Sequence, residues 1–331
     1  MNTLPVPTPE PSAPYLKVRP TPKHRSAFAG WWILFLAVAM ITVLVFCADR
    51  LIPGGLFAHF RREKPEETSA PEESTTDLYA YDAEAVPEGA FGVRPCDRSI
   101  AALGVCYENE ADIMLPQENV TLAPVAADGV SVLIDTTHPY ETYADADFYR
   151  YADGASFGSG EASRAIGVVA EAFRQALAAQ GITAALVETN VVSGKNSYAT
   201  AEAALRDALV RYPETQYIFD LHRAILLDED GTMLRPVYAE AEQPTAQLRF
   251  LVGTDHENWE ANFSAADVLT NALTQSAPAS VMPTKIVASR LNQHVGPISF
   301  TVEVGACGNS VGEASRAAEH LAEVFASLVK K

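Results

Sequence analysis

The sequence predicts an α/β fold: a mainly parallel twisted sheet with helices on both faces, preceded by one transmembrane helix. Two observations support this prediction. From residue 130 onward, short apolar runs typical of buried strands alternate with stretches in which apolar residues recur at helical spacing. Near the N-terminus, one uncharged apolar stretch is long enough to cross a bilayer.

The first 48 residues predict a membrane anchor. Residues 1–26 are rich in proline and carry basic side chains, as expected of a short cytoplasmic tail. Residues 27–48 contain no charge, and a helix of that length spans about 33 Å, close to the hydrocarbon thickness. Trp31 and Trp32 lie near one end, where interfacial aromatic side chains are favoured. Because this run is longer than a typical signal-peptide core and lacks a clear cleavage site, we expect an uncleaved single-pass anchor, with the rest of the chain outside the cytoplasm.

The next 81 residues (49–129) are predicted to connect the anchor to the main domain. Residues 49–92 form a disordered acidic linker, because the part at 63–92 combines many carboxylates and prolines with low hydrophobicity and cannot bury enough surface to fold. Residues 93–129 contain short apolar pieces and are expected to form a lead-in segment packed on the main domain. That domain comprises residues 130–331.

The charge argues against one class of protein, and the cysteine spacing excludes two kinds of site. The chain has 42 acidic and 24 basic residues, a net charge of −18, which is the opposite sign to that of proteins that bind nucleic-acid phosphates. None of the four cysteines forms a CxxC pair, so a thiolate zinc ribbon and a thioredoxin-type site are excluded by spacing. Cys96 and Cys106 are candidates for a disulfide outside the cytoplasm, although spacing alone does not establish its geometry.

The main domain is predicted to alternate strands with helices. One helix has apolar side chains at helical spacing from Ile166 to Leu177 and ends at Gly181. The last helix begins after Ser310, which forms a capping-box pattern with Glu313. In chain order, the predicted strands are 130–135, 182–187, 217–221, 248–253, 285–289 and 298–304, and the predicted helices are 162–180, 200–212, 259–276 and 310–329.

Residues suited to metal binding follow the predicted strands. His138 and Glu141 lie in the loop after the first strand, and His222 closes the third. Because the carboxyl ends of parallel strands meet at one edge of a sheet, we expect these side chains to converge. Two imidazoles and a carboxylate are a typical set of catalytic zinc ligands, with a fourth position left for water. The sequence therefore predicts a Zn²⁺ site.

Two further residues are predicted to act in catalysis. Water bound to zinc ionises near neutral pH, and a second carboxylate then takes its proton and passes it to the leaving amine. Glu303, at the end of the last strand, is the candidate for that general base. Arg223, beside His222, is expected to polarise the amide carbonyl or to hold a substrate carboxylate.

Other interpretations of these residues stay open at this point. A lone histidine such as His138 is more often a solvated loop residue, and His222 would serve equally as a hydrogen-bonded core histidine. Glu303 would also be consistent with a structural buried acid. Glu161 is an alternative carboxylate ligand, or simply a favourable charge at a helix start. The competing imidazoles are His256 and His294.

Taken together, the segments after residue 130 resemble the stage II sporulation protein P (SpoIIP) family, a membrane-anchored relative of the zinc N-acetylmuramoyl-L-alanine amidases. The resemblance covers roughly residues 130–326, in order, and includes the N-terminal anchor. The segments that carry it are VLIDTTHPYETY, SYATAEAALRDALVRYPETQYIFDLHRA, FLVGTDHENWEANFSAADVLTNAL and RLNQHVGPISFTVEVGACGNSVGEASRAAEHLAEVF.

By this resemblance, His138 and His222 match the two essential histidines of the family, Glu141 its HxxE-type acid and Glu303 the acid of its EVG motif. The resemblance implies a membrane-anchored zinc hydrolase of peptidoglycan. Its expected reaction is cleavage of the amide between N-acetylmuramic acid and the stem peptide, with stem-peptide crosslinks as a further substrate. A lytic transglycosylase like stage II sporulation protein D is the expected partner, during engulfment of the forespore.

Three positions depart from the family pattern. Thr136 stands where the family usually has histidine, Ala224 where it has an acid and Cys307 where it has glycine. If the missing acid orients the neighbouring imidazole, Ala224 predicts weaker metal binding. A role in wall remodelling outside sporulation and a non-catalytic wall-binding module are therefore kept as alternatives. A metallocarboxypeptidase-like peptidase is a further alternative, because HxxE with a distant histidine also serves that class.

Overall fold

Two β-sheets and five α-helices make up the described part of the chain. The computed structural model describes residues 78–86, 88, 90–117, 120–126, 128–145, 149–151, 162–187, 189, 197–240 and 243–330. These residues belong to one compact unit, Ser74–Lys331.

The larger sheet has seven strands in the order β2-β10-β9-β11-β6-β3-β5. All neighbouring strands run parallel except β9 and β11, which are antiparallel. A mainly parallel sheet is therefore confirmed. Its strands are β2 (Tyr107–Asn109), β3 (Val132–Asp135), β5 (Ala184–Leu186), β6 (Tyr217–Ala224), β9 (Leu248–Gly253), β10 (Thr284–Val287) and β11 (Ile298–Ala306).

A second sheet explains why β9 runs against β11. It has four strands in the order β4-β1-β7-β8, namely β1 (Ala90–Cys96), β4 (Tyr149–Tyr151), β7 (Met233–Glu240) and β8 (Gln243–Ala246). The chain leaves β6, forms the antiparallel pair β7–β8 and enters β9 at Leu248, which lies opposite Val304 near the end of β11. The β-hairpin brings the chain back to the same ends of the strands at which it left β6, so β9 runs antiparallel to β11. A helical crossover would have carried the chain to the opposite ends and given a parallel strand.

The predicted linker ends too late in the sequence. The sequence predicts a linker up to residue 92, but β1 already begins at Ala90 and pairs with β7. Val93 is 3% exposed and packs in a small cluster with Met233 and Cys307. The hydroxyl of Tyr79 donates to the carbonyl of Val237. Burial of these few apolar side chains orders a stretch whose composition alone predicts disorder.

Helices cover both faces of the larger sheet, as predicted. The helices are α1 (Ile100–Leu103), α2 (Ile166–Ala179), α3 (Ser197–Arg211), α4 (Trp259–Ser276) and α5 (Val311–Val329). Helices α2, α4 and α5 contribute to the main core. Helix α3 packs Leu205 against Leu133 and Ile218 in a separate cluster. Because successive side chains of a strand point to opposite faces, Ile218 and its neighbour Phe219 place these two clusters on opposite sides.

The main core packs against one face of β6. The ring of Phe219 is fully buried, with centroids 4.9 Å from Phe173, 4.7 Å from Phe300 and 5.1 Å from Phe325. Helix α5 begins with the predicted capping box, in which Ser310 and Glu313 exchange hydrogen bonds. These contacts fix the strand whose other face carries the polar residues of the candidate site.

Two sequence predictions concern membrane insertion and disulfides. Within residues 78–330, apart from the gaps given above, no helix is both long and apolar enough to cross a membrane. The predicted anchor at 27–48 and most of the predicted linker lie outside the described residues. The thiols of Cys96, Cys106 and Cys307 are not joined in disulfides, so the candidate Cys96–Cys106 bond is not formed.

Candidate active site

The ends of three parallel strands gather the polar residues at one edge of the larger sheet. β3, β6 and β11 are neighbours, with β6 in the middle. His222 near the end of β6 lies beside Glu303 of β11 in register. Adjacent strands are about 4.8 Å apart and register partners share a face, so these two side chains project from the same side. His138 and Glu141 follow β3 in the next loop.

The three predicted metal ligands converge. The Nδ1 atoms of His138 and His222 are 3.3 Å apart. The carboxylate of Glu141 lies 3.6 Å from Nδ1 of His138 and 3.5 Å from Nδ1 of His222. One ligand atom from each residue lies within 4.8 Å of the others, and no other such group of three occurs among the described residues. The arrangement needed for a shared cation is present.

The second nitrogen of each imidazole, Nε2, makes a hydrogen-bond contact with a neighbouring side chain. Nε2 of His222 is 2.9 Å from Oδ2 of Asp220, and Nε2 of His138 is 2.9 Å from Oγ of Ser197, at the start of α3. An ionised carboxylate only accepts hydrogen bonds, so Nε2 of His222 carries the proton in this contact. In the neutral ring, Nδ1 then keeps its lone pair and faces Glu141.

Asp220 was missed by the sequence analysis. It is 5% exposed and accepts hydrogen bonds from both the amide (3.0 Å) and the hydroxyl (2.9 Å) of Thr137. Asp220 therefore orients His222, the role that the sequence would have left to an acid at position 224. The signal was available, because residues two apart in a strand share a face and Asp220 precedes His222 by two.

Charges within this cluster shift several pKa values. Burial lowers the pKa of His138, and His222 lowers it further. For His222, burial is outweighed by Asp220 and Glu141, which together raise its pKa well above the usual value. Burial of Glu141 is likewise outweighed, because contact with His222 and the charge of Arg223 lower its pKa. The opposite shifts of His222 and Glu141 both favour the charged forms of this pair.

The pKa of Asp135, the register partner of Asp220, is shifted in the opposite direction to that of Asp220. Burial and the charge of Asp220 raise the pKa of Asp135 well above its usual value. Its Oδ1 is buried without a hydrogen-bond partner among the described residues. The raised pKa of Asp135 and the lowered pKa of Asp220 both act against two adjacent buried negative charges.

The predicted general base is held by a residue that the sequence analysis did not identify. Nε of Arg249 donates to Oε2 of Glu303 at 2.5 Å, and the two residues are register partners across β9 and β11. Their side chains are 10% and 13% exposed. Since this bond occupies Oε2, Oε1 is the oxygen left for other partners on the face shared with His222.

Arg223 makes contacts to the backbone. Its Nε donates to the carbonyl of Thr142 at 2.7 Å, and its amide donates to the carboxylate of Glu141 at 3.0 Å. The guanidinium also reaches the carbonyl of Ala224, and the residue is 4% exposed. These contacts fix the loop that carries the metal ligands. Its expected action on the substrate stays a prediction.

The competing residues lie elsewhere or outside the description. The rings of His256 and His294 have centroids 6.4 Å apart, and Nε2 of His294 contacts Glu202 of α3 at 3.3 Å. Neither belongs to the three-ligand group. Glu161 lies outside the described residues.

Comparison with known sequences identifies the family. The family model described as Stage II sporulation protein P (SpoIIP) matches residues 62–326. The chain belongs to the SpoIIP family. One curated relative is Stage II sporulation protein P of Bacillus subtilis (strain 168), which is 27% identical over 176 residues. The match covers 49% of this SpoIIP chain and 42% of the B. subtilis protein, less than half of each.

Solved structures with some similarity to this SpoIIP chain include two N-acetylmuramoyl-L-alanine amidases. AmiC2 of Nostoc punctiforme is 14% identical with a TM-score of 0.34, covering 62% of this chain and 96% of that one. Ami1 of Mycobacterium smegmatis is 14% identical with a TM-score of 0.37, covering 63% and 99%. Similarity this low does not establish a shared activity.

Proposed function

We propose that this SpoIIP-family chain is a zinc-dependent peptidoglycan hydrolase that cleaves the N-acetylmuramoyl-L-alanine amide, with stem-peptide crosslinks as a further substrate. The observation that supports it most is the cluster of His138, Glu141 and His222, whose ligand atoms lie within 4.8 Å of one another. Membership in the SpoIIP family supplies the substrate class.

The donor set fits zinc better than the other common divalent cations. Magnesium and calcium prefer oxygen ligands, whereas two imidazole nitrogens and one carboxylate are typical of catalytic zinc. Both Nε2 atoms are already bonded, to Asp220 and Ser197, so His138 and His222 would bind the ion through Nδ1. When bound, zinc supplies the Lewis acidity that makes water a nucleophile near neutral pH.

The residues of the chain then divide the remaining work. Asp220 and Ser197 fix the ring orientations and the tautomers. Glu303, held at Oε2 by Arg249, takes the proton of the attacking water at Oε1. As the carbon–nitrogen bond of the amide breaks, the same carboxyl group delivers that proton to the leaving amine. The products are a free carboxyl group on the muramoyl side and a free amino group on the peptide.

The same proposal extends to location and partner. Residues 27–48 would anchor the chain in the cell membrane, with 1–26 in the cytoplasm and the catalytic domain (130–331) outside it, facing peptidoglycan. A lytic transglycosylase like stage II sporulation protein D would be the partner in engulfment. These statements derive from the sequence pattern and the family.

The test compares the purified full-length chain with variants on isolated sacculi. We expect stoichiometric zinc, release of stem peptides with new free amino groups, and loss of both when zinc is removed by a chelator. His138→Ala should lose metal and activity, and Glu303→Gln should lose activity while keeping metal. His256→Ala is the matched histidine control and should behave as wild type.

Three outcomes would contradict the proposal. Zinc-free protein that remains fully active would remove the metal from the mechanism. Trimming of terminal residues without release of peptides from glycan would indicate a carboxypeptidase. Retained binding to sacculi without any hydrolysis, unchanged in a His138→Ala, Glu303→Gln double variant, would indicate a wall-binding module.

A further inference from the structure

One role in amide hydrolysis, donation to the oxygen of the substrate carbonyl, was expected of Arg223 from the sequence. As water adds to the carbonyl carbon, the carbonyl oxygen gains negative charge and needs a hydrogen-bond donor. The guanidinium of Arg223 donates to two backbone carbonyls beneath the ligand loop. A second side chain beside the cluster offers such a donor.

This side chain is Tyr198, in the first turn of α3. Its ring meets the ring of His138 edge to face, with centroids 5.3 Å apart, and the residue is 38% exposed. Its hydroxyl makes no hydrogen bond within the described residues. The ring of Tyr198 thus lies against one of the proposed metal ligands, with a hydroxyl available to donate.

A strained corner of the chain fixes Tyr198 in this place. Nδ2 of Asn292 donates to the carbonyl of Tyr198 at 2.8 Å, and Asn292 is 8% exposed. Asn292 has φ of 54° and the preceding Leu291 has φ of 48°, a left-handed conformation that is unfavourable for a bulky residue such as leucine. Strain of this kind persists only where surrounding contacts impose it.

The contacts that impose it come from the next residue. The side chain of Gln293 donates to the carbonyl of Leu251 and to the hydroxyl of Thr301, and accepts from the amide of Gly253. The carbonyl of Gln293 accepts from Asn262 of α4. The corner is therefore bonded to β9, β11 and α4 at once, and it presents Asn292 to the start of α3.

We propose that the hydroxyl of Tyr198 donates a hydrogen bond to the oxygen of the scissile carbonyl as that oxygen gains charge, and that Asn292 is the positioning residue for Tyr198. This inference rests on the proposed function. Tyr198 exchanges no proton in the reaction, since the proton from water still passes through Glu303 to the amine.

The first experiment compares Tyr198→Phe with Tyr140→Phe in the zinc-loaded full-length chain, on sacculi, with bound zinc measured in parallel. Tyr140 is the matched control, because its ring is 5.7 Å from His138, on the ligand loop rather than on α3. We expect kcat of Tyr198→Phe to fall roughly 10²–10³-fold, as on loss of one oxyanion donor, with KM and zinc content unchanged. Tyr140→Phe should match wild type.

The outcomes separate the two proposals. A wild-type chain without hydrolase activity would defeat the proposed function itself. An active wild type with Tyr198→Phe equally active, or changed only in KM or zinc content, would overturn the assignment of Tyr198 alone. A loss confined to Tyr140→Phe would transfer the role to Tyr140.

The second experiment tests Asn292 through a double-mutant cycle. Asn292→Gly removes the donor to Tyr198 while relieving the backbone strain, because glycine adopts a φ of 54° readily. Asn292→Asp removes the donor without that relief. We expect each to lower kcat in the wild-type background but to have no further effect in Tyr198→Phe. Equal losses in both backgrounds would show that Asn292 does not act through Tyr198.

Discussion

Replacing Asp220 by asparagine should disrupt metal binding by changing one tautomer. The amide of Thr137 only donates, and it bonds Oδ1 of Asp220 at 3.0 Å. In Asp220→Asn the side-chain oxygen must face that donor, so the new NH₂ group faces Nε2 of His222. Nε2 then has to accept, and the neutral ring carries its proton on Nδ1 instead. The nitrogen that faces Glu141 would lose the lone pair needed for zinc.

The magnitude follows from the role of such orienting groups. Removing a carboxylate that orients a metal-bound histidine typically lowers metal affinity about 10–100-fold, or about 1.4–2.8 kcal/mol. Zinc affinity is measured by competition with a chromophoric chelator at fixed pH, and folding by circular dichroism. Asp220→Asn should stay folded, because the position remains polar and of the same size.

Asp135→Asn is the matched control for this experiment. Asp135 is also buried and lies beside Asp220 in register, but burial and the charge of Asp220 raise its pKa, which favours the neutral form. An amide in place of a neutral carboxyl group should leave zinc affinity within about twofold of wild type. Wild-type affinity in Asp220→Asn, or an equal loss in Asp135→Asn, would refute the tautomer argument.

Four further predictions use simpler measurements. Ser197→Ala removes a neutral hydrogen bond from the imidazole of His138, which is worth about 0.5–1.5 kcal/mol. Zinc affinity should therefore fall about 2–10-fold, less than in Asp220→Asn. A fall equal to or larger than that of Asp220→Asn would contradict this prediction. Ala224→Asp should not raise zinc affinity in the same titration; a gain would show that an acid there still orients the ligand. Phe219→Ala should lower the free energy of unfolding by about 3–5 kcal/mol in urea denaturation, and a loss below about 1 kcal/mol would contradict the packing described for its ring. Burial raises the pKa of the Cys96 thiol to about 11, so at pH 8 only about one in a thousand of these thiols is ionised. Iodoacetamide should therefore modify exposed Cys106 first, and Cys96 should react faster as the pH rises towards 11. Equal rates for the two thiols would refute this prediction.

The sequence predicted the larger sheet well because its signal is local. Apolar runs such as that of β9 and the helical spacing of α4 predict elements whose limits agree with the structure. The capping box at Ser310 marks the start of α5. The placement of His138, His222 and Glu303 also followed from a local rule, since each comes at the end of a parallel strand.

The second sheet escaped prediction because its stability is not local. β1 is a short stretch containing a proline, and it is ordered by pairing with β7, about 140 residues later. Leu234 and Val237 of β7 are buried, but their pattern alone does not show which strand they pair with. The antiparallel direction of β9 depends on the preceding β7–β8 pair, so it was not predicted either.

The site shows a second limit of prediction from sequence, which concerns the residues that contact the site residues rather than the helices and strands themselves. Glu303 was identified, but Arg249, which holds it, is identified only once β9 is known to lie antiparallel to β11. Tyr198 and Asn292 are 94 residues apart, and only the fold brings them together. Spacing in the sequence locates candidate ligands at strand ends, whereas the groups that orient them come from register.

Ala224 is compatible with a competent metal site because an imidazole has only two nitrogens. In His222, Nε2 is bonded to Asp220 and Nδ1 faces Glu141 and His138. No ring atom is left for an acid at position 224 to orient. Ala224 is fully buried, and a carboxylate there would add a third negative charge near Asp220 and Glu141 at a cost in desolvation. The departure from the family pattern therefore does not, by itself, imply weak zinc binding.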